Sequence, residues 1–181
     1  MIVLMGVAGA GKSMQGRLLS DEMGYAWVST GEILRVLITG KRRQEMLSGK
    51  LLHDYEVIEI LDKIFELVDV RQQFILDGFP RTVPQADWLM AQADKGRFAL
   101  DAVVHLAASE DVVRKRLMSR GRLDDNEEAI RERFDEYRSV TLPILEHFEK
   151  QGLPVYNVDA GQSPQEVHDQ IVAYLDGLIQ E

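Results

Sequence analysis

Short apolar runs alternate along the chain with longer amphipathic stretches. The apolar runs predict five strands, over residues 1–7, 25–28, 74–76, 102–106 and 155–158. The amphipathic stretches predict helices over 12–23, 54–68, 83–95, 110–119 and 127–150, two shorter helices that end at 38 and 48, and a last helix from Pro164. We expect the long helix 127–150 to bend at Pro143, because proline cannot donate a backbone hydrogen bond.

Strands that alternate with helices indicate an α/β protein with a parallel sheet covered by helices on both faces. Four segments with Ser, Thr or Asp three residues before Glu or Gln predict capping boxes at helix starts: 29–32, 82–85, 125–128 and 163–166. Ligands of such sheets bind beyond the carboxyl ends of the strands. The residues directly after each strand are therefore the first candidates for function.

The composition narrows the class of protein. A chain of 181 residues is long enough for one domain with a core. The absence of Cys excludes a disulfide framework and a Cys-rich zinc site, and it fits a reducing compartment. The net charge of −9 disfavours nucleic acid as a partner, and no apolar run is long enough to span a membrane. We expect a soluble, cytoplasmic protein whose first strand starts almost at the initiator Met.

The segment after the first predicted strand has the pattern of a phosphate-binding loop, Gly6-x-x-x-x-Gly11-Lys12-Ser13, followed at once by a helix. Glycines let backbone N–H groups converge on phosphate oxygens, and the helix N-terminus adds a partial positive charge. Lys12 supplies a full charge, and the Ser13 hydroxyl can ligate Mg²⁺ or its water. A dinucleotide-binding loop is excluded, because the glycines at 6, 9 and 11 do not have its Gly-x-Gly-x-x-Gly spacing.

A second candidate segment, Asp77-Gly78-Phe79-Pro80-Arg81, follows the third predicted strand. Asp77 stands at a carboxyl strand end, the usual place for the acid that holds Mg²⁺ water in a P-loop enzyme. An acid and an arginine beside a triphosphate have complementary uses. Asp77 would fix the metal, and Arg81 would neutralise the transferring group.

Arg133 lies on the apolar stripe of its predicted helix, three residues after Ile130 and four before Tyr137. Burial of an unpaired charge is costly, so a charge on this stripe should face a cleft or a partner. Arg131 points away from the stripe and is expected on the surface. Clustered arginines are the signature to expect if the chain transfers phosphoryl groups, since that chemistry depends on positioning and charge stabilisation.

Arg116 and Arg120 are four residues apart on another predicted helix. Like charges at this spacing repel in the free chain, and an anionic ligand between them would remove that cost. The alternative is a solvated basic helix face, to which Arg114 and Lys115 would also belong.

These motifs resemble the adenylate kinase family of nucleoside monophosphate kinases, and the resemblance runs nearly end to end. It rests on five segments: 6–13, 29–35, 49–52, 77–85 and 120–126. It implies a P-loop NTPase three-layer sandwich with a five-stranded parallel sheet. It also implies a small helical arm of about residues 30–61 that binds the monophosphate, and a short lid of about 120–125 over ATP. The core would then comprise 1–29, 62–119 and 126–181.

The resemblance implies ATP and AMP as ligands, Mg²⁺ with ATP, and no zinc. The residues implied for ATP are Gly9, Ala10, Gly11, Lys12, Ser13, Met14, Arg116 and Gln162. Those implied for AMP are Thr30, Arg35, Leu52, Gly78, Arg81, Gln85, Arg122 and Arg133. The implied catalytic set is Lys12, Arg81, Arg120, Arg122 and Arg133, with Ser13 and Asp77 as the residues for the metal, Asp77 through water.

Two residues bear on the identity of the monophosphate. The family associates Thr30 and Gln85 with AMP, whereas relatives that take UMP or CMP carry Ala and Asn there. A Gln amide can pair with adenine at two atoms. We expect reversible phosphoryl transfer from MgATP to AMP, giving two ADP. The alternatives are a UMP/CMP kinase of the same fold and a non-catalytic nucleotide-binding relative. Thr30 and Gln85, like Asp125, have the simpler alternative of capping a helix.

The chain departs from the family pattern at two places. The loop reads Gly11-Lys12-Ser13-Met14 where the family has Gly-Lys-Gly-Thr, so we expect Ser13 to replace the Thr as metal ligand. Only Gly121 separates Arg120 from Arg122, which makes the lid very short. Since a lid excludes water, we expect more hydrolysis of ATP than in a long-lid enzyme. We expect a monomer, with an oligomer that completes the closure as the alternative.

Overall fold

The computed structural model describes residues 1–48, 51–122 and 125–179. This described part contains a five-stranded parallel sheet with the strand order β2-β3-β1-β4-β5. The strands are β1 (Ile2–Met5), β2 (Ala26–Ser29), β3 (Phe74–Asp77), β4 (Ala102–Ala107) and β5 (Val155–Asp159). The prediction of an α/β fold with five parallel strands is confirmed.

Helices follow the strands and cover both faces of the sheet. They are α1 (Lys12–Met23), α2 (Thr30–Leu37), α3 (Gly40–Leu47), α4 (Asp54–Leu67), α5 (Val83–Asp94), α6 (Glu110–Arg120), α7 (Glu127–Glu136), α8 (Pro143–Lys150) and α9 (Pro164–Ile179). In the parts of the chain that the structure describes, no helix combines the length and the apolar character that a membrane crossing requires.

The central strand β1 contributes to both halves of the core, because successive side chains of a strand point to opposite faces. Val3 packs into a cluster with residues of α4, α5 and α8, whereas Leu4 packs into a second cluster with residues of α1, α6, α7 and α9. Both side chains are fully buried. A buried side chain of this size stabilises the fold by about 1.5–3 kcal/mol. The two clusters hold the carboxyl ends of β1, β3 and β4 together at one edge of the sheet.

Residues 127–150 are helical as predicted, but the helix is not uniform, because a π-helical turn, Tyr137–Thr141, separates α7 from α8. Its defining hydrogen bond runs from Leu142 N to Tyr137 O, at 2.7 Å. Pro143 cannot donate to the carbonyl of Ser139, and in a regular helix its ring would clash with that carbonyl. The wider turn relieves this conflict, so the irregularity precedes the proline and is not a bend at Pro143 itself.

Of the predicted capping boxes, the one at 163–166 is confirmed. Ser163 Oγ accepts from Glu166 N at 3.3 Å, and Glu166 Oε2 accepts from Ser163 N at 3.0 Å. The box at 82–85 is half formed, since Thr82 Oγ1 accepts from Gln85 N at 3.3 Å while the Gln85 side chain bonds elsewhere. Thr82 therefore caps α5, and Gln85 does not complete the box.

The other two capping predictions are wrong. Ser29 precedes α2 but makes no capping bond, and its hydroxyl donates instead to Asp77 Oδ2 at 3.1 Å. The cap of α7 is Asn126, whose Oδ1 accepts from Ala129 N at 2.9 Å. Asp125 lies one residue before this cap and is free to bond arginines. In both places the side chain hydrogen-bonds a charged residue on another element instead, Asp77 in the case of Ser29 and Arg120 in the case of Asp125.

Candidate active site

The loop between β1 and α1 requires glycine at several points. Gly6, Gly9 and Gly11 have positive φ angles of 143°, 90° and 111°. A Cβ on Gly6 would lie 2.6 Å from Leu106 O, and one on Gly9 would lie 2.8 Å from Leu117 Cγ. The loop is thus pressed against β4 and α6, where side chains do not fit. Gly11 provides no side-chain cap to α1, and Met14 N donates to Gly11 O at 3.0 Å, which leaves the N–H groups of Lys12 and Ser13 in the first turn for an anion.

Lys12 is folded back over this loop. Its Nζ donates to Gly6 O at 2.6 Å and to Val7 O at 3.0 Å. Burial lowers its pKa to about 8; the charge of Asp77 opposes this shift, and the charges of Arg81, Arg120 and Arg35 add to it. A lysine held among arginines marks a concentration of positive charge that suits a polyanionic ligand.

Asp77 ends β3 beside the start of α1 and is 2% exposed. Its Oδ2 accepts from Ser13 Oγ at 2.8 Å and from Ser29 Oγ at 3.1 Å. Hydroxyl and carboxylate oxygens are the hard donors that Mg²⁺ prefers, so this donor set fits that ion. In the described ranges no three His, Cys, Asp or Glu side chains are grouped closely enough to hold a metal by themselves. A cation here would need phosphate and water oxygens as further ligands, which is usual for Mg²⁺ at nucleotides.

Two adjoining clefts open at the carboxyl edge of the sheet. The first, the loop cleft, is lined by the phosphate loop, the loop after β3, α7 and the π-helical turn, with Lys12, Arg81, Arg133, Tyr137 and Thr141 among its residues. The second, the arm cleft, is lined by α2, the loop after β3, and the starts of α4 and α5, with Thr30, Arg35, Leu52, Gly78 and Gln85 among its residues. Arg81 and Arg133 line both clefts.

Arg81 is anchored by its own backbone surroundings. Its Nε donates to Gly78 O at 3.0 Å, and its carbonyl accepts from Thr141 Oγ1 at 3.0 Å. Burial lowers the pKa of Arg81, an effect that the charge of Asp77 opposes and the charge of Arg133 reinforces. The Arg133 side chain is 12% exposed, so it lies in the cleft and not on the surface, as its place on the apolar stripe predicts. The two guanidinium groups thus share one wall.

Asp125 has a role that the sequence analysis missed. Its Oδ2 accepts from Arg120 Nε at 2.9 Å and its Oδ1 from Arg120 Nη2 at 2.6 Å. Arg133 Nη1 lies 3.5 Å from Oδ1, and Arg122 N donates to Oδ2 at 3.1 Å. Burial acts to raise the pKa of Asp125, but the hydrogen bonds of Arg120 and Arg122 and the charges of Arg120 and Arg133 outweigh it and hold the pKa low. Asp125 therefore places a negative charge against two arginines.

Arg116 reaches the outer side of the phosphate loop. It donates to Ala10 O and to Gln162 O, each at 3.4 Å. Arg114 instead pairs with Glu110 at 3.1 Å and with Glu127 at 2.9 Å. The alternative of a uniformly solvated basic face is not what the structure has, because Arg114 is neutralised while Arg116 turns toward the loop.

The arm cleft has an apolar wall and a few polar atoms. The apolar residues are Leu34, Met46, Leu51, Leu52 and Val57. Thr30 is 2% exposed, and its Oγ1 has no hydrogen-bond partner in the part of the chain that the structure describes. Gln85 Oε1 accepts from Arg81 N at 2.8 Å, and Gln85 Nε2 donates to Asp54 Oδ1 at 2.8 Å. Such a site can enclose an aromatic ring and hydrogen-bond its edge.

Most of the residues singled out in the sequence come together at this edge of the sheet, although not all of them do. Met14 and Arg122 are exposed. Residues 49, 50, 123 and 124, which belong to two of the motifs, lie outside the described residues. His105 is buried on β4, where Nδ1 bonds Asn157 Oδ1 at 2.6 Å and Nε2 bonds the Tyr137 hydroxyl. It therefore ties the π-helical turn to the sheet.

Comparisons with known proteins agree with this geometry. A family model described as adenylate kinase matches residues 4–153. The chain is 38% identical to the adenylate kinase of Corynebacterium urealyticum, an alignment that covers 97% of this chain and 98% of that protein. It is 38% identical to adenylate kinase 1 of a Nostoc species over 96% and 97% of the two chains, and 36% identical to the adenylate kinase of Rhizobium meliloti over 83% and 87%. The match of the family model over most of the chain, and the identity to these relatives over nearly their whole length, show that the chain belongs to the adenylate kinase family.

Proposed function

We propose that this chain transfers the terminal phosphoryl group of MgATP reversibly to AMP, giving two ADP. The observation that carries the proposal is the meeting of two clefts at Arg81 and Arg133. Transfer between two nucleotides needs their phosphates end to end, and cations at the junction can hold both. The names of the relatives favour AMP as the acceptor.

The donor, ATP, is assigned to the loop cleft. Backbone N–H groups between Gly9 and Met14, with the N-terminus of α1, would hold its phosphates. Lys12 would leave its contacts with the loop carbonyls and pair with phosphate oxygens, whose negative charge would offset the solvation lost by burial. Arg116 and Gln162, which meet beside Ala10, would flank the remainder of the nucleotide.

The acceptor, AMP, is assigned to the arm cleft. The unpartnered hydroxyl of Thr30 and the amide of Gln85 would bind the base, while Leu52 belongs to the apolar wall that would enclose it. Arg35 and Arg81 would bind the phosphate. The residues assigned to the acceptor are Thr30, Arg35, Leu52, Gly78, Arg81, Gln85, Arg122 and Arg133.

Ser13 and Asp77 are the residues proposed to hold Mg²⁺ with the donor, Asp77 through water. Their hydroxyl and carboxylate oxygens lie 2.8 Å apart at the start of α1. When bound, the ion neutralises phosphate charge and orients the phosphate chain. The chain's own contribution is to place these two oxygens beside Lys12.

The transfer itself is an in-line displacement. An oxygen of the AMP phosphate forms a bond to the terminal phosphorus of ATP, and the bond from that phosphorus to the bridging oxygen breaks, releasing ADP. The attacking phosphate is already an anion, so no side-chain base is needed. Lys12, Arg81, Arg120, Arg122 and Arg133 form the proposed catalytic set, which would stabilise charge on the transferring group.

We divide the chain into a core of 1–29, 62–119 and 126–181, an arm of about 30–61 and a lid of about 120–125. The arm helices carry Thr30 and Arg35, and Leu51 N donates to Glu136 Oε1 at 3.2 Å, which joins the arm to α7. The division, a monomeric state and a cytoplasmic location stay predictions.

A coupled assay of ADP formation from ATP with AMP, UMP, CMP or GMP tests the proposal. We expect AMP to be the preferred acceptor. Phosphorylation of UMP or CMP in its place would identify the pyrimidine enzyme, and ATP binding without any transfer would identify a binding protein. Either result would overturn the proposal.

Variants of the junction sharpen this assay. Lys12→Ala and Arg81→Ala should each lower kcat by about 100-fold or more, because removal of one preorganised charge typically has this effect. The matched control is Arg71→Ala, since Arg71 is an exposed arginine paired only locally with Asp69 at 3.0 Å. The control should keep wild-type activity, and all three variants should unfold at similar temperatures.

A further inference from the structure

The side-chain amide of Gln85 is held in one orientation by two neighbours of opposite character. Its Oε1 accepts from the backbone N–H of Arg81 at 2.8 Å, and its Nε2 donates to Asp54 Oδ1 at 2.8 Å. A backbone N–H can only donate and a carboxylate can only accept. The two ends of the amide therefore cannot exchange places without breaking both hydrogen bonds.

A fixed amide presents a fixed pattern to the arm cleft. After its two internal bonds, Gln85 keeps one acceptor position on Oε1 and one N–H on Nε2. A 6-aminopurine offers the complement, an acceptor at ring N1 and an amino donor at position 6. A 6-oxopurine offers the reverse, an N–H at N1 and an oxygen at position 6. Against Gln85 it would place donor against donor and acceptor against acceptor.

Asp54 is itself anchored, so it can act as the reference for this orientation. It is the first residue of α4, and the same oxygen that receives Gln85 also accepts from Thr82 Oγ1 at 2.7 Å. Thr82 in turn caps α5 through Gln85 N. The start of an arm helix is thus joined to the start of a core helix around the amide. The Arg81 N–H, on the other end, belongs to the loop after β3.

We propose that Asp54 is a positioning residue that sets acceptor specificity. By fixing the Gln85 amide, it makes the arm cleft select a 6-aminopurine monophosphate over a 6-oxopurine monophosphate. This inference rests on the proposed function, because it assigns the base of the acceptor to the arm cleft. It adds a residue that is placed to act on the base only through Gln85.

The test compares AMP with IMP, which differ only at position 6 and in the proton at N1. The variant is Asp54→Asn, which keeps the size of the side chain. An Asn amide can accept or donate, so position 54 would no longer select one orientation of Gln85, and the Arg81 N–H alone would still favour it. A hydrogen bond to a charged group is worth roughly 10- to 100-fold in an equilibrium. We therefore expect the ratio of kcat/KM for AMP to that for IMP to fall by about tenfold or more.

Two controls separate orientation from packing and charge. Asp62→Asn makes the same charge change on the same helix, at a carboxylate that pairs with Arg97 away from the cleft. Thr82→Val removes the hydroxyl contact to Asp54 and the cap of α5 but leaves the bond between Asp54 and Gln85. Both controls should keep the wild-type ratio, even where Thr82→Val lowers the melting temperature.

Dissociation constants for AMP and IMP, measured by calorimetry without ATP, should show the same change as the rates. A ratio within twofold of wild type in Asp54→Asn would overturn the assignment of Asp54. An equal fall of the ratio in Thr82→Val would also overturn it, since the effect would then come from packing. Failure of the wild-type chain to phosphorylate AMP is a different result, which overturns the proposed function itself.

Discussion

Ser13 Oγ donates to Asp77 Oδ2 across 2.8 Å, joining the first turn of α1 to the end of β3. The family pattern has its hydroxyl one residue later, where this chain has Met14, and that side chain is 53% exposed. The hydroxyl of Ser13 thus lies beside Asp77, where both side chains could contact a metal ion or its bound water.

Ser13→Ala should raise the Mg²⁺ concentration needed for half-maximal activity by about tenfold or more, because changes to metal-site residues commonly weaken metal binding by that factor. A titration of activity against Mg²⁺ at saturating nucleotides measures it. The double variant Ser13→Gly with Met14→Thr restores the order of the family pattern and should recover part of the affinity. An unchanged Mg²⁺ requirement in Ser13→Ala would remove Ser13 from the metal site.

The affinity for ATP should fall as the pH rises through about 8. Burial holds the pKa of Lys12 near that value in the unliganded chain, against 10.5 for an ordinary lysine, and bound phosphates would raise it again. Above pH 8, Lys12 must therefore take up a proton from solvent when ATP binds. We expect binding of ATP to be roughly tenfold weaker at pH 9 than at pH 7, measured by calorimetry. Lys12→Met should bind more weakly at every pH and without this slope.

The same linkage has a consequence for stability. Between about pH 8 and 10.5 the unfolded chain keeps the Lys12 proton that the folded chain has lost. The contribution of Lys12 to the free energy of unfolding should therefore rise with pH in this window. If Lys12→Met changes neither the pH profile of ATP binding nor that of unfolding, the pKa of Lys12 is not lowered in the folded chain.

Asp125→Asn should destabilise the unliganded chain and enlarge the stabilisation that a nucleotide gives. The carboxylate of Asp125 is fully buried and is hydrogen-bonded to Arg120, and its loss removes a negative charge that faces Arg120 and Arg133. We expect a loss of about 1–3 kcal/mol in the free energy of unfolding. Phosphates compete with Asp125 for the same arginines, so the rise of the melting temperature with ADP should be larger than in wild type.

The control for this prediction is Asn126→Ala. It removes the cap of α7 and should cost about 1 kcal/mol without freeing the arginines. Its melting temperature should rise with ADP as much as that of wild type. An equal response of both variants would mean that Asp125 stabilises only the start of the helix.

Local patterns were sufficient for much of this fold. Strands buried on both faces are continuous apolar runs, so β1 and β3 could be predicted from the sequence. Their ends then located the phosphate loop at Gly6 and the carboxylate of Asp77. The pairing of Asp125 with arginines could not be predicted from the sequence, because the spacing of Asp125 and Glu128 is also that of a capping box. In the described part of the chain α6 is capped at Gly121, with φ 64°, and Asp125 hydrogen-bonds back to Arg120.

The π-helical turn and the Gln85 amide have causes that lie far away in the sequence. Tyr137 bonds His105 on β4, and Thr141 bonds the carbonyl of Arg81, so the core holds the turn at both ends. Gln85 hydrogen-bonds Asp54, which is 31 residues earlier in the sequence. No periodicity or short motif encodes such contacts, because they exist only after the elements have packed.

The connection between α6 and α7 should let water reach the transferring phosphoryl group. Helix α6 ends at Arg120 and α7 begins at Glu127, which leaves few residues to cover the loop cleft. Closure over the phosphates normally excludes water from this step. We therefore expect the chain to release phosphate from ATP without a monophosphate at a higher rate, relative to its kinase activity, than a family member with a long lid.

Phosphate release from ATP, measured with and without AMP, tests this prediction. Lys12→Ala should abolish the release, which would show that it comes from this site and not from a contaminating enzyme. Replacing Gly121 with a longer polar segment should reduce the release while transfer to AMP continues, because the added residues could close over the cleft. If the wild-type chain releases phosphate from ATP no faster, relative to its kinase activity, than the long-lid enzyme, the arginines and the arm exclude water without a lid.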